Sequence, residues 1–239
     1  MKTLFISDLH ISAAHPEIQQ RFLAFLSHQA MDAEALYILG DLFEAWLGDD
    51  LVLPEYQPSI NALRNLSLAG VKLFIMHGNR DFLFGEDFAN SIKGELIEDP
   101  CVIDLYGTPT LLMHGDTLCT DDLEYQKFRS MVRSSSWQEA LLAKPPEQRL
   151  ALARQYREAS QSETKGKTAL IMDVNQQAVE QTMQAAGVIQ LIHGHTHRQN
   201  IHKFSLNGET ATRIVLGDWF SQGSVLSCSE SGYQLDNFI

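Results

Sequence analysis

Five short polar clusters, in a fixed order along the chain, hold the residue types that bind metal ions. They are Asp8-Leu9-His10, Gly40-Asp41, Gly78-Asn79, His114-Gly115 and Gly194-His195-Thr196-His197. Side chains at i and i+2 of an extended segment point to one side. On that reading Asp8 pairs with His10, and His195 pairs with His197. The set mixes imidazole, carboxylate and amide and contains no thiolate. Such nitrogen and oxygen donors suit manganese, iron, or zinc in an open site rather than a structural cysteine-rich zinc. The neighbouring glycines remove bulk and let the backbone approach closely. His28, His77, His193 and His202 lack such company and are read as structural or surface residues.

The clusters fall where apolar runs end. Leu4–Ile6, Leu36–Leu39, Val71–Met76 and Leu111–Met113 read as strands, each followed by one cluster. Ile18, Phe22, Phe25 and Leu26 have helical spacing within 17–31, and Ile60, Leu63, Leu66 and Leu68 mark a second helix stopped near Gly70. This β–α–β–α–β order predicts an α/β fold with a partly parallel sheet, in which ligands collect beyond the carboxyl ends of the strands. From about residue 188 the chain reads as strands: Val188–Ile192, Ile201–Leu206, Ala211–Leu216, Val225–Cys228 and Tyr233–Ile239.

Composition narrows the function. The 239 residues are 44% hydrophobic and 20% charged, an ordinary globular balance. The net charge of −12 argues against tracking a nucleic-acid backbone. A chain this acidic that handles phosphate needs metal ions or a local basic patch, and residues 125–167 supply a patch. They read as helical around the Pro145-Pro146 break and hold nine basic residues against four acidic ones. That polarity predicts an inserted cap, whose apolar positions are Leu123, Phe128, Met131, Val132, Leu141 and Leu142. Cys101, Cys119 and Cys228 are odd in number and far apart, so reduced thiols are expected. Asp8 and His10 interrupt the N-terminal apolar run too soon for a signal peptide, and no stretch approaches the roughly 18–20 apolar residues of a membrane span. A soluble chain, or one attached to a membrane from the side, is expected.

The ordered series resembles the calcineurin-like metallophosphoesterase superfamily, whose pattern runs D-x-H, G-D, G-N-H-[DE], H, G-H-x-H. The resemblance implies a four-layer α-β-β-α sandwich as a single domain over 1–239, with the helical cap inserted at about 121–167. It implies two metals at the strand ends. One takes Asp8, His10, Asp41 and His197; the second takes Asp41, Asn79, His114 and His195. Asp41 then bridges, together with a hydroxide.

One position departs from the pattern: the run here is Gly78-Asn79-Arg80-Asp81, with Arg where the superfamily has His. An arginine is a poor proton donor but grips phosphate bidentately. A leaving group that needs no proton is therefore expected, such as a phosphate leaving from a diphosphate. The strings ISDLH, LYILGDLFEAWLGDD, HGNRDFL, LMHGDTLCTDD, MDVN and LIHGHTHR are similar to the UDP-2,3-diacylglucosamine hydrolase family of lipid A biosynthesis. That similarity implies two Mn²⁺ ions and release of UMP and 2,3-diacylglucosamine 1-phosphate (lipid X), with attack on the uridine-linked phosphorus. It implies peripheral attachment to the cytoplasmic face of the inner membrane of a Gram-negative bacterium, with no obligate protein partner. Catalysis would rest on Asp41, Asn79, Arg80 and His195, and substrate contacts would fall on Asn79, Arg80, Asp122, Ser160, Thr164, Lys167 and His195. Two other readings remain open: a phosphodiesterase or nuclease, against which Arg80 and the acidic charge count, and a metal-free scaffold, against which the complete ligand set counts.

Overall fold

The computed structural model describes residues 2–164 and 171–238, with side chains described up to residue 159 of the first stretch. Two sheets are present. In the first, β1 (Thr3–Ile6), β2 (Ala35–Leu39), β3 (Lys72–Met76) and β4 (Glu95–Ile97) run parallel. β10 (Gly223–Ser229) and β11 (Gly232–Phe238) extend it antiparallel on the β1 side. The second sheet has the order β5-β6-β7-β9-β8, from β5 (Cys101–Leu105), β6 (Thr108–Met113), β7 (Gln190–His193), β8 (Asn200–Leu206) and β9 (Glu209–Val215). The strands β6, β7 and β9 are mutually parallel.

The alternation of side chains along these strands builds the layers. Leu4, Ile6, Leu36, Ile38, Leu73 and Ile75 face outward from the first sheet. They meet α1 (Pro16–Ser27), α2 (Gln57–Leu68) and α3 (Glu86–Ile92) through Phe22, Phe25, Leu63 and Ile92. The intervening residues Phe5, Leu39 and Met76 face the other way and pack on Leu112, Ile192 and Ile214 of the second sheet. Leu111, Met113 and Leu191 face outward from the second sheet onto Val179 and Met183 of α7 (Gln176–Ala186). The result is an α/β fold in four layers: helix, sheet, sheet, helix. Each fully buried Leu, Ile or Phe contributes about 1.5–3 kcal/mol, so strands that bury both faces hold the two sheets firmly together.

The predicted helical stretch after residue 121 is three helices. They are α4 (Leu123–Val132), α5 (Ser135–Leu142) and α6 (Pro146–Thr164), all between β6 and α7. Pro146 opens α6, a position where the missing N–H costs nothing. The helix read over 17–31 ends earlier, at Ser27. Among the described residues, α3, β4, β5 and α7 have no counterpart in the sequence reading.

Candidate metal centre

Each polar cluster begins one or two residues past the end of β1, β2, β3, β6 or β7, where parallel strands finish side by side. The local backbone differs from the extended geometry expected above. Asp8, His10, Asp41, His195 and His197 all have left-handed backbones, with φ of 57, 51, 53, 67 and 57°. Convergence of Asp8 with His10, and of His195 with His197, therefore does not come from alternation along a strand. The chain turns sharply at each residue, which aims the side chain back over the strand ends. Left-handed conformations cost L-residues about 1–3 kcal/mol each and collect at functional sites.

The turned residues meet in two overlapping groups. Ligand atoms of Asp8, His10 and His197 lie within 4.8 Å of one another, as do those of Asp8, Asp41 and His114. His10 Nε2 is 3.3 Å from His197 Nε2 and 3.6 Å from Asp41 Oδ2. On the other side, Asn79 Oδ1 is 2.9 Å from both His114 Nε2 and His195 Nδ1. Asp41 faces both groups, since its Oδ1 is 3.9 Å from His114 Nε2. All seven predicted ligands thus share one cluster, and Asp41 occupies its middle.

The donor chemistry fits divalent cations. Asp8 Oδ1 is buried and makes no close hydrogen bond, an arrangement that calls for positive charge, and the His197 imidazole stands 3.5 Å from it. The His114 Nδ1 hydrogen is donated to the Leu39 carbonyl at 2.9 Å, because a carbonyl can only accept. A cation that displaced the Nε2 proton would then meet its lone pair facing the cluster. Burial alone would push the His114 and His197 pKa values down. The carboxylates around them prevail, raising His114 to about 9 through Asp41, Asp116 and Asp8, and His197 to about 10 through Asp8. A site that draws protons onto buried imidazoles this strongly favours cations. His195 goes the other way, to about 4, through burial and the neighbouring His114.

Several supporting residues escaped the sequence reading. Asp81 is fully buried, and its carboxylate accepts N–H bonds from Leu42 at 2.7 Å and Gly78 at 2.9 Å, with longer ones from Asp41 and Phe43 at 3.2 Å. It ties the β2 turn to the β3 turn. The signal was present as the acidic residue closing the Gly78–Asp81 run. Asp218 lies 3.5 Å from His197 Nδ1. Asp116 accepts from Tyr125 Oη and Arg129 Nε, both at 2.7 Å, which fastens α4 beside His195. His77 and His193 serve the fold: His77 Nε2 donates to the Phe84 carbonyl at 2.8 Å, and His193 is buried against Arg213.

Gly78 is required by space. A Cβ there would collide with the Asp41 carboxylate and its backbone nitrogen. Gly78→Ala should therefore lower stability by about 1–3 kcal/mol, seen as an earlier midpoint in denaturant, and should displace Asp41. A midpoint equal to that of the unaltered protein would show that the turn has room.

Beside the cluster opens a cavity of about 1060 Å³. Asn79, Arg80 and His195 join it to the cluster, and Arg129, Arg133, Arg154 and Arg157 also line it. Its apolar wall includes Trp46, Phe82, Phe128, Met131, Trp137 and Tyr156. Asp122 lines it too, while its carboxylate caps α4 by accepting from Tyr125 N at 3.1 Å. Of the apolar positions expected in the cap, Phe128, Met131, Val132 and Leu141 line the cavity. Leu123 and Leu142 do not: Leu123 is 66% exposed on α4, and Leu142, 38% exposed, packs beside Gly48. The side chains of Ser160 and Thr164 and the whole of Lys167 lie outside the described residues.

The chain belongs to the calcineurin-like phosphoesterase family, whose model matches residues 1–199, and so to the metal-dependent hydrolases. Within that family its similarity is to one group of enzymes. It is 50% identical over 243 residues to the UDP-2,3-diacylglucosamine hydrolase of Stenotrophomonas maltophilia (strain K279a), covering 99% of this chain and 98% of that one. It is 51% identical over 219 residues to the protein of that name from Marinobacter nauticus, covering 92% and 90%. The Nitrosococcus oceani protein of that name is 48% identical over 237 residues, covering 99% and 95%.

Proposed function

We propose that this chain hydrolyses the diphosphate of UDP-2,3-diacylglucosamine, giving UMP and lipid X in lipid A biosynthesis. The observation that carries the reading is the cavity. It adjoins the metal cluster at Asn79, Arg80 and His195, and its lining combines arginines with aromatic and aliphatic side chains. A substrate that carries both a charged diphosphate and acyl chains suits such a mixed lining. An open phosphodiesterase site would have no use for the apolar wall.

Two divalent cations, Mn²⁺ by resemblance, would supply Lewis-acid charge to the phosphoryl oxygens and acidify the attacking water. One would be held by Asp8, His10, Asp41 and His197, the other by Asp41, Asn79, His114 and His195. Arg80 grips the diphosphate and stabilises charge as it develops. Water adds to the uridine-linked phosphorus, and the bond to the bridging oxygen breaks. Lipid X departs as a phosphate monoester, which needs no immediate proton, so no histidine is required at position 80. Hydrolysis in ¹⁸O-water should put the label in UMP; label in lipid X would place the attack on the other phosphorus.

The deciding assay offers the Mn²⁺-loaded protein UDP-2,3-diacylglucosamine beside UDP-N-acetylglucosamine and a bis-aryl phosphate. UMP from the first alone supports the reading, and turnover of the bis-aryl phosphate alone defeats it. The acyl chains are tested separately. Phe128→Ser with Met131→Ser should reduce kcat/KM on the diacyl substrate more than on a short-chain analogue, because remote binding energy is lost only where the remote group exists. Equal losses would mean that α4 merely packs there.

Work at the cytoplasmic face of the inner membrane, with peripheral attachment, follows from a lipid substrate. Among the described residues no helix is long and apolar enough to cross a membrane.

A further inference from the structure

Glu44 lies three residues past Asp41, and its carboxylate is only 11% exposed. Its two oxygens face different groups. Oε2 is 3.3 Å from His10 Nδ1, a nitrogen with no other partner. Oε1 is 3.3 Å from the Arg157 guanidinium on α6 and 3.8 Å from that of Arg80. Both arginines, and Glu44 itself, line the cavity. The opposite nitrogen of the His10 ring, Nε2, faces Asp41 and His197.

An ionised carboxylate only accepts hydrogen bonds. Facing His10 Nδ1, it favours the tautomer that carries the hydrogen there. Nε2 then presents its lone pair to the cluster, and the ring is held at a fixed angle. The other oxygen attracts two guanidinium groups that line the cavity. The Arg80 contact is beyond hydrogen-bond length, so that guanidinium can turn to a phosphate without losing a bond.

We propose that Glu44 is a positioning residue that couples the metal centre to the phosphate-binding arginines, one oxygen setting His10 and the other holding Arg80 and Arg157. The arginine half rests on the diphosphatase reading; the His10 half does not. On arrival of the diphosphate, Arg80 and Arg157 exchange the Glu44 carboxylate for phosphate oxygens, while His10 keeps its partner.

The first test uses no substrate. Mn²⁺ is titrated into the unaltered protein, Glu44→Ala and Glu44→Gln, and free Mn²⁺ is read by electron paramagnetic resonance. Glu44→Ala should weaken binding about 10–100-fold, the usual loss when a partner of a ligating histidine is removed. Glu44→Gln, which keeps a carbonyl acceptor for Nδ1–H, should recover most of it. An isotherm for Glu44→Ala that superimposes on that of the unaltered protein would overturn the role at His10. The second test measures KM for UDP-2,3-diacylglucosamine in Arg157→Ala, Glu44→Gln and the double variant at saturating Mn²⁺. Coupled residues should give a double variant little worse than the poorer single one. Strictly multiplicative effects would overturn the arginine half. If the unaltered protein does not turn over this substrate, the diphosphatase reading and the arginine half fall together, and the Mn²⁺ titration still decides the role at His10.

Discussion

Asp41→Ala should abolish turnover and weaken both cation sites at once, while the protein remains folded. Asp41 stands between the two groups of ligands, with Oδ2 toward His10 and Oδ1 toward His114. Removing one preorganised donor from an active site costs about 10²–10³ in rate. If the carboxylate is shared by two cations, as proposed, the loss should exceed about 10³, because both ions would lose a ligand. The check is kcat together with metal content in the purified variant. The fold should survive, since Asp41 lies in the turn beyond β2 and outside the apolar clusters. Turnover near that of the unaltered protein in Mn²⁺, or a variant that keeps both ions, would remove Asp41 from the centre.

Arg80→Ala should cost about 10²–10³ in kcat/KM, the scale of a lost oxyanion donor. Its backbone N–H donates to Asp41 Oδ1 at 2.8 Å, so the main chain is fixed independently of the side chain. The guanidinium reaches the cavity with its Nε buried and without a hydrogen-bond partner. A buried N–H left unpaired costs about 1–3 kcal/mol, and an incoming phosphate would remove that cost. Arg80→Lys should recover only part of the rate, because a point charge cannot reproduce the planar fork. Arg80→His is the discriminating variant, since it restores the residue usual in the superfamily. It should remain impaired on the diphosphate. Full activity there would sink the argument that arginine serves a leaving group needing no proton.

The strands that carry the centre were legible because each is a short apolar run closed by polar and glycine residues. Leu36–Leu39 before Gly40-Asp41 is the plainest case. The missed elements lack that contrast. β5 alternates half-buried and exposed residues at a sheet edge, and Asp104 interrupts its apolar run. β4 has only three residues, and α7 carries glutamines on its outer face. At the centre, residue types and order were enough to nominate the ligands, but the way they converge was not readable. Local spacing suggested extended segments, and nothing in the letters Asp-Leu-His announces two left-handed residues. Glu44 and Asp116 were illegible for a different reason. Their partners lie far along the chain, at Arg157 and Arg129 among others, and only folding brings them together.

The seven proposed ligands are divided between the two sheets. Asp8, His10, Asp41 and Asn79 follow strands of the first, and His114, His195 and His197 follow strands of the second. A cation held by both groups is therefore a rivet across the seam between the layers. Any slippage of one sheet on the other pulls ligands apart before it exposes much apolar surface. Ion release should thus be the earliest event in thermal damage, with inactivation preceding loss of secondary structure. The same division makes occupancy a brace, adding about 2.7 kcal/mol when free metal stands at 100 times its dissociation constant. Starvation for metal would then cost this enzyme some of its lifetime as well as its activity.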